Sequence, residues 1–344
     1  MSALKPLKRL VTDWFLGGML LAVTLACLFP NVGKHGGTLH AGSLINAGVF
    51  LVFFLHGINL STEQIRKGLG NWRLHVMVQL FTFAIFPLLW LAADKLLGTQ
   101  IPPMLMLGFF YLCALPSTIS SSVALTGSAG GNVPAAILNA SLSSLLGVFL
   151  TPWLISLVAD ANGGIDLGET LLDLSLLLLL PLVLGQALRP LWGRFFTRYK
   201  RYTGVFDKLV ILLLVFASFS DSVAGGVWQQ QGPETLVLAF VGCALLLALM
   251  LWLTTRSARS LGFNHEDEIA AVFCATKKSL AAGAPMAAII FGASPALGLI
   301  LLPIMLYHQM QLIVCAVMAE RHSLRGHALA AGTASGIPPT PNGR

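Results

Sequence analysis

Runs of about 20 mostly apolar residues recur along the chain, and only a membrane protein accommodates so many of them. Of the 344 residues, 56% are hydrophobic and 10% are charged. This composition lies outside the range of soluble globular domains. We predict an all-α integral membrane protein with ten transmembrane helices. The predicted spans are residues 14–30, 44–60, 75–93, 104–126, 133–158, 171–188, 209–227, 235–254, 269–291 and 296–318.

The positions of lysine and arginine predict the orientation of the chain. If the N-terminus is cytoplasmic, all but four of the 21 lysines and arginines lie in cytoplasmic loops. Lys34 and Lys95 lie outside, and Lys277 and Lys278 lie within the ninth span. This distribution follows the positive-inside rule and predicts a multi-pass inner membrane protein with both termini in the cytoplasm. The net charge of +7 then reflects topology and anionic lipid, and gives no support to nucleic-acid binding.

The ten predicted spans divide into two blocks of five, about residues 10–160 and 165–320. An odd number of spans places the second block in the opposite orientation, which is the inverted-repeat plan of many secondary transporters. Residues 1–325 are therefore expected to form a single transporter domain. Residues 326–344 are predicted to be a disordered cytoplasmic tail, because glycine, proline, threonine and asparagine are frequent there.

The fourth span of each block is polar and interrupted. In the first block it contains Cys-Ala-Leu-Pro-Ser-Thr-Ile-Ser-Ser-Ser over 113–122, and in the second Thr-Lys-Lys-Ser-Leu-Ala-Ala-Gly-Ala-Pro over 276–285. A proline inside a helix removes an amide donor and frees a carbonyl. At membrane depth a freed carbonyl must face protein or a cavity. Pro116 and Pro285 therefore predict two broken helices that line a transport site.

Polar side chains near the first break form a candidate ion and solute site. Hydroxyl and amide oxygens are suitable ligands for a monovalent cation, although small polar residues also serve close packing between membrane helices. The candidate ion ligands are Ser121, Ser122, Asn139, Ser143, Thr82 and Gln79. The candidate solute-binding residues are Thr118, Ser120 and Thr276.

Lys277 and Lys278 lie near the middle of an apolar run, where a charged side chain is unfavourable by roughly 2.5–3.5 kcal/mol. At this depth the side chain is too short to reach the membrane surface, so at least one lysine is expected to be functional. Three roles are open: counter-charge for an anionic substrate, a tethered ammonium in a cation site, or a proton carrier. Because adjacent helical residues point about 100° apart, both lysines are not expected to face one cavity.

Other residues suggest no catalytic chemistry. The five cysteines are scattered through apolar spans without metal-ligand spacing, and there is no carboxylate pair or nucleophile triad at membrane depth. Acidic residues 266–268 follow Asn264 and are expected to cap the ninth span. We predict that the protein is not an enzyme and has no cofactor, apart from a possible bound Na⁺.

Five segments resemble the bile acid:sodium symporter superfamily, and more closely its branch around solute carrier family 10 member 7 and bacterial relatives. The resemblance covers about residues 10–325. The segments are Leu-Pro-Ser-Thr-Ile-Ser-Ser-Ser-Val-Ala (115–124), Gly-Gly-Asn-Val-Pro-Ala-Ala (130–136), Asn-Ala-Ser-Leu-Ser-Ser (139–144), Lys-Lys-Ser-Leu-Ala (277–281) and Leu-Tyr-His-Gln-Met-Gln-Leu (306–312).

The resemblance implies a panel domain (spans 1, 2, 6 and 7) and a core domain (spans 3–5 and 8–10), with spans 4 and 9 crossing at their breaks. It places the first sodium site of the family on Ser121 and Ser122, with Asn139 and Ser143 as partners. The family glutamine of span three falls at Thr82. The glutamate shared by both sodium ions and the glutamine after it fall at Val272 and Thr276, so two-sodium coupling is not expected to carry over.

The leading expectation is a secondary active transporter that moves a small organic anion by alternating access, coupled to sodium or protons. Its predicted partners are this solute, a monovalent cation or proton, and the lipid bilayer. The alternative is a membrane regulator of cation (calcium) influx that has no robust transport of its own. Mutation of Ser121 with Asn139 distinguishes the two, because only a transporter would lose solute flux.

Overall fold

The computed structural model describes residues 14–34, 36–39, 41–59, 71–159, 172, 175–229, 231–292 and 294–334. All regular structure in these residues is helical, as predicted. We number the main helices α1 (Trp14–Leu28), α2 (Ala41–Asn59), α3 (Trp72–Leu97), α4 (Pro103–Ala114), α5 (Ser120–Ser128), α6 (Val133–Ala159), α7 (Leu180–Arg198), α8 (Lys200–Ala224), α9 (Pro233–Ser260), α10 (His265–Ala275), α11 (Leu280–Phe291) and α12 (Leu297–Ala334).

Seven helices of the described residues are long and apolar enough to cross a membrane: α2, α3, α6, α7, α8, α9 and α12. The apolar helices α1 and α4 are shorter. Large hydrophobic side chains remain exposed along these helices, including Leu245 (66%) and Trp252 (62%) of α9. An apolar outer surface is what lipid requires, and the chain is therefore a multi-pass membrane protein.

Both predicted helix breaks are present, but the second one lies earlier than predicted. Pro116 lies in the non-helical segment between α4 and α5, as expected. Pro285 lies inside α11, and the second break instead occupies residues 276–279 between α10 and α11. The proline signal was misleading here because the two lysines and Ser279 form tertiary hydrogen bonds that replace those of a continuous helix.

Several helices extend beyond the predicted spans. The last one, α12, continues to Ala334, through part of the predicted disordered tail. Its alanine-rich end has high helix propensity, which explains the difference. The rest of the predicted tail, residues 335–344, lies outside the described residues, as do the N-terminal basic residues and the acidic loop after the fifth span.

The helix α3 contains one π turn, Phe81–Ile85, at its centre. The amide of Phe86 donates to the carbonyl of Phe81, one residue further back than in an α-helix. The carbonyl of Thr82 thereby loses its usual donor, Phe86. The next residue, Pro87, has no N–H to replace it. The turn thus leaves the Thr82 carbonyl free for a tertiary partner.

Three helix starts meet around one buried carboxylate. Asn71, Asn132 and Asn264 accept backbone N–H bonds at the starts of α3, α6 and α10. Asp267 accepts from the side-chain amides of Asn71 (2.6 Å) and Asn132 (2.7 Å). The predicted capping at the start of α10 is therefore present, and Asp267 additionally ties α10 to α3 and α6.

Candidate functional site

The two broken helices meet directly at their breaks. The backbone N–H of Ser279 donates to the carbonyl of Pro116 at 2.9 Å. Two hydroxyls of the first break donate back to carbonyls at the end of α10: Ser117 to Cys274 at 2.6 Å and Ser122 to Phe273 at 3.1 Å. Each break thus supplies hydrogen-bond partners for the other, which satisfies backbone groups that a helix end leaves unpaired.

Neighbouring helices pair more of the freed carbonyls. Thr151 of α6 donates to Ala114 at 2.8 Å, and Tyr307 of α12 donates to Thr276 at 2.7 Å. The hydroxyl of Thr276, a candidate solute ligand, donates to Val272 within its own helix at 2.7 Å. Because Thr276 is fully buried and internally bonded, the structure gives it a role in holding the break.

Lys278 is fully buried and surrounded by backbone carbonyls. Its Nζ donates to Thr82 at 2.8 Å, to Cys113 at 2.7 Å and to Leu115 at 2.7 Å. The ring of Phe86 lies 4.1 Å away, measured to its centroid. The side chain of Gln311 binds both the N–H and the C=O of Lys278, each at 2.8 Å. Side chain and main chain are therefore both fixed.

Lys277 is also fully buried but has fewer partners. Its Nζ donates to the carbonyl of Ser121 at 2.9 Å and lies 5.5 Å from the ring centroid of Phe273. As predicted, the two lysines point to different surroundings. Lys278 binds the end of α4 and the π turn of α3, whereas Lys277 binds the start of α5.

The predicted hydroxyl ligands are largely bonded to protein. Thr118 forms 2.8 Å hydrogen bonds with both Ser121 and Ser122. Ser143 accepts from the N–H of Ser117 at 2.9 Å. Thr82 donates to Val78 at 2.8 Å. The hydroxyls of Thr118, Ser121, Ser122 and Ser143 thus form hydrogen bonds at the first break, and Nζ of Lys277 contacts the carbonyl of Ser121.

Two amide oxygens differ from this pattern. Gln79 donates its side-chain N–H to the carbonyl of Asn139 at 3.2 Å, which brings α3 and α6 together. The Oδ1 atom of Asn139 and the Oε1 atom of Gln79 are buried and have no hydrogen-bond partner among the described residues. Buried amide oxygens without partners are unfavourable unless a bound water donates to them or a cation contacts them.

A cavity of about 640 Å³ lies between the breaks and helices α1, α2, α7 and α8. Three predicted solute or ion residues line it, Thr118, Ser120 and Ser121, together with Ser279. Neither lysine of the second break is among the lining residues. The opposite wall carries His56, Asp207 and Lys208, with His56 Nε2 lying 3.9 Å from Asp207 Oδ2.

Sequence reasoning missed several of these residues. In the sequence, Phe86 does not differ from the other apolar residues of α3, and no neighbouring residue indicates that it contacts a lysine. Gln311 and Asp207 did carry a signal, because each is a polar side chain within or beside an apolar run. Their roles could not be read from spacing, since their partners are distant in the sequence.

Comparison with known proteins agrees with this architecture. The chain matches the SBF-like CPA transporter family over residues 13–323. An uncharacterized protein of Pseudomonas aeruginosa is 45% identical over 329 residues, covering 95% of this chain and 97% of that protein. YfeH of Escherichia coli is 42% identical over 321 residues, covering 93% and 96%. Sodium/bile acid cotransporter 7 of Danio rerio is 33% identical over 315 residues, covering 90% and 93%.

The match spans both breaks, the cavity and nearly every described helix, and the resemblance predicted from the five segments is confirmed. The chain therefore belongs to the SBF-like CPA transporter family, and the prediction of a transporter rather than an enzyme is confirmed.

Proposed function

We propose that the protein is a secondary active transporter of the inner membrane that moves a small organic anion together with sodium or a proton. The observation that carries the proposal is the cavity of about 640 Å³ at the two breaks. It is large enough for a small solute. Hydroxyls of the broken helices line one side of the cavity, and other helices line the opposite side. A transport site needs two such sides, because their relative movement can open or close the cavity.

Alternating access is supported by a second cavity of about 670 Å³. The first cavity is lined by His56, near the C-terminal end of α2, and the second by Ala41 and Asn46, near the N-terminal end of the same helix. Two cavities at opposite ends of the same helices would exchange solute with opposite sides of the membrane. We assign the first to the cytoplasmic side, with both chain termini in the cytoplasm.

The finer architecture belongs to the same proposal. We count α4 with α5, and α10 with α11, as one broken span each, which gives ten spans in two inverted repeats. The panel would then comprise α1, α2, α7 and α8, and the core the remaining helices. The hydrogen bonds between the breaks lie within the core, whereas the cavity lies between core and panel. Rocking of the panel against the core would open one cavity and close the other.

An anionic solute suits the start of α5. This helix begins without a side-chain cap hydrogen bond, and Ser120 and Ser121 of its first turn line the cavity. The N-terminus of a helix carries partial positive charge and favours anions. Lys277 donates to the carbonyl of Ser121 and does not line the cavity. It would add a positive charge behind the first turn of α5.

The coupling cation fits best beside Asn139 and Gln79. Their two unpaired amide oxygens provide ligands for a sodium ion or acceptors for a proton carrier. The position on Ser121 and Ser122 is less suitable because the ammonium of Lys277 lies beside it. Two like charges 4 Å apart repel by about 4 kcal/mol at an effective dielectric constant of 20.

The proposal is tested by thermal unfolding of the purified protein in choline buffer, with sodium added at constant ionic strength. A sodium ion that binds only the folded protein stabilises it by RT ln(1 + [L]/Kd), about 2.7 kcal/mol at 100 times Kd. We expect saturable stabilisation by sodium over potassium in the wild type. Asn139→Ala should remove this response.

Ser128→Ala is the matched control, because the Ser128 hydroxyl is exposed and, within the described part of the chain, bonds only to the carbonyl of Leu125. It should keep the full sodium response. A protein whose stability does not depend on sodium, and whose pH dependence between pH 6 and pH 8 disappears in Lys277→Ala, would indicate proton coupling. A response to neither would contradict cation coupling and favour the regulator of cation influx.

A further inference from the structure

The ammonium of Lys278 lies where three backbone carbonyls converge, and none of the three has a helical donor. Thr82 loses its donor to the π turn of α3 and to Pro87. Cys113 would normally accept from the N–H of Ser117, which instead donates to Ser143. Leu115 follows the end of α4 and lies in the non-helical segment. Carbonyls freed in this way form the cation sites of many transporters.

The hydrogen-bond geometry at Nζ favours the charged form of Lys278. An ammonium has three N–H donors, and three carbonyls accept from Nζ at 2.7–2.8 Å. A neutral amine has only two N–H groups, so its lone pair would face a carbonyl oxygen. The face of Phe86 at 4.1 Å also attracts a cation. Among the described residues, no carboxylate lies within ion-pair distance of Lys278, so dipoles alone balance the charge.

We propose that Lys278 is a built-in cation that permanently occupies a monovalent-cation site of the core. A dissociable ion at this place would join α3 to the end of α4, and Lys278 makes that connection from the second break without such an ion. Gln311 holds the lysine main chain, so the ammonium cannot leave as an ion does. Lys277, with a single carbonyl partner, is not locked in this way.

The inference goes beyond the transport proposal because it does not depend on the solute or on the coupling ion. It predicts that removing the side chain leaves an empty site that takes up free alkylammonium ions. The atoms deleted in Lys278→Ala correspond to propylammonium. Tetramethylammonium carries the same charge but has no N–H to donate.

The test is chemical rescue of purified Lys278→Ala, measured by thermal unfolding, with the amines present from cell lysis onward. Loss of three charge-assisted hydrogen bonds should lower the melting temperature by about 10 °C or more. Propylammonium should restore most of this loss in a saturable manner, and tetramethylammonium should restore none. Wild type and Lys277→Ala should not respond to propylammonium.

Lys278→Met keeps the test decisive if the alanine variant does not fold, because methionine fills most of the same space without charge. It should be strongly destabilised or fail to accumulate, while Lys277→Met accumulates normally. A Lys278→Met protein as stable as the wild type, or a Lys278→Ala protein that responds equally to both amines, would overturn the inference. The readout is stability, so a failed sodium experiment leaves this test unaffected.

Discussion

At the scale of single residues, the site is organised by the carbonyls that the two breaks leave unpaired. Ser117 and Ser122 donate to the end of α10, and Lys278 donates to the end of α4. A buried carbonyl without a donor destabilises the folded state by about 1–3 kcal/mol. Each of these donors therefore stabilises the crossing of the broken helices, whatever else it does during transport.

Ser117→Ala should lower the free energy of unfolding by about 1–3 kcal/mol, because the carbonyl of Cys274 would lose its 2.6 Å donor in a fully buried position. Thermal unfolding in detergent measures the change. Ser128→Ala, which removes an exposed hydroxyl, should change stability by less than about 0.5 kcal/mol. Equal effects of the two substitutions would refute the carbonyl argument.

At the scale of helices, α2 and α7 of the proposed panel are in close contact. A Cβ atom on Gly57 would lie 2.1 Å from the carbonyl oxygen of Leu182, and one on Gly185 would lie 2.1 Å from that of Phe54. Both neighbours are backbone atoms, which cannot move aside as a flexible side chain can. The two helices therefore approach at glycines, as small residues allow in membrane proteins.

Gly57→Ala should destabilise the protein by about 1–3 kcal/mol, because the added methyl group overlaps the backbone of α7. The matched control is Gly17→Ala in α1, where a Cβ atom meets nothing within 4 Å. Alanine is the better helix former, so this control should be neutral or more stable by about 0.5–1 kcal/mol. Melting temperatures of both purified variants decide the matter, and the prediction fails if Gly57→Ala melts at or above the wild type.

At the scale of the whole molecule, the helices place one cavity at each end of the proposed panel–core boundary. Ser120 is exposed in the first cavity and Asn46 in the second. Among the cysteines, Cys27 is exposed and the other four are buried. A Cys27→Ser background therefore allows each cavity to be labelled separately.

In that background, a membrane-impermeant maleimide should label Ser120→Cys in inside-out vesicles several-fold faster than in spheroplasts. Asn46→Cys should show the reverse preference, because its cavity lies at the other end of α2. Mass spectrometry of the intact protein measures the labelled fraction. Labelling of both variants from the same side would contradict the assignment of the cavities to opposite sides of the membrane.

The apolar runs were sufficient to predict an all-helical membrane protein, because hydrocarbon requires every backbone group to be paired within the segment. The polar interruption around Pro116 also predicted the first break correctly. The position of the two lysines in the middle of an apolar run was enough to indicate that they are buried. These conclusions depend on local composition, which a sequence displays directly.

Only the tertiary structure decided where the second break lies and what the lysines bind. Pro285 was an unreliable marker, because a helix accepts a proline when the loss of one hydrogen bond is offset by packing. The partners of Lys278 come from the π turn of α3 and the end of α4, more than 160 residues away in sequence. Their carbonyls are shared by every residue type, so no side-chain pattern can reveal them, and only the folded backbone brings them to one point.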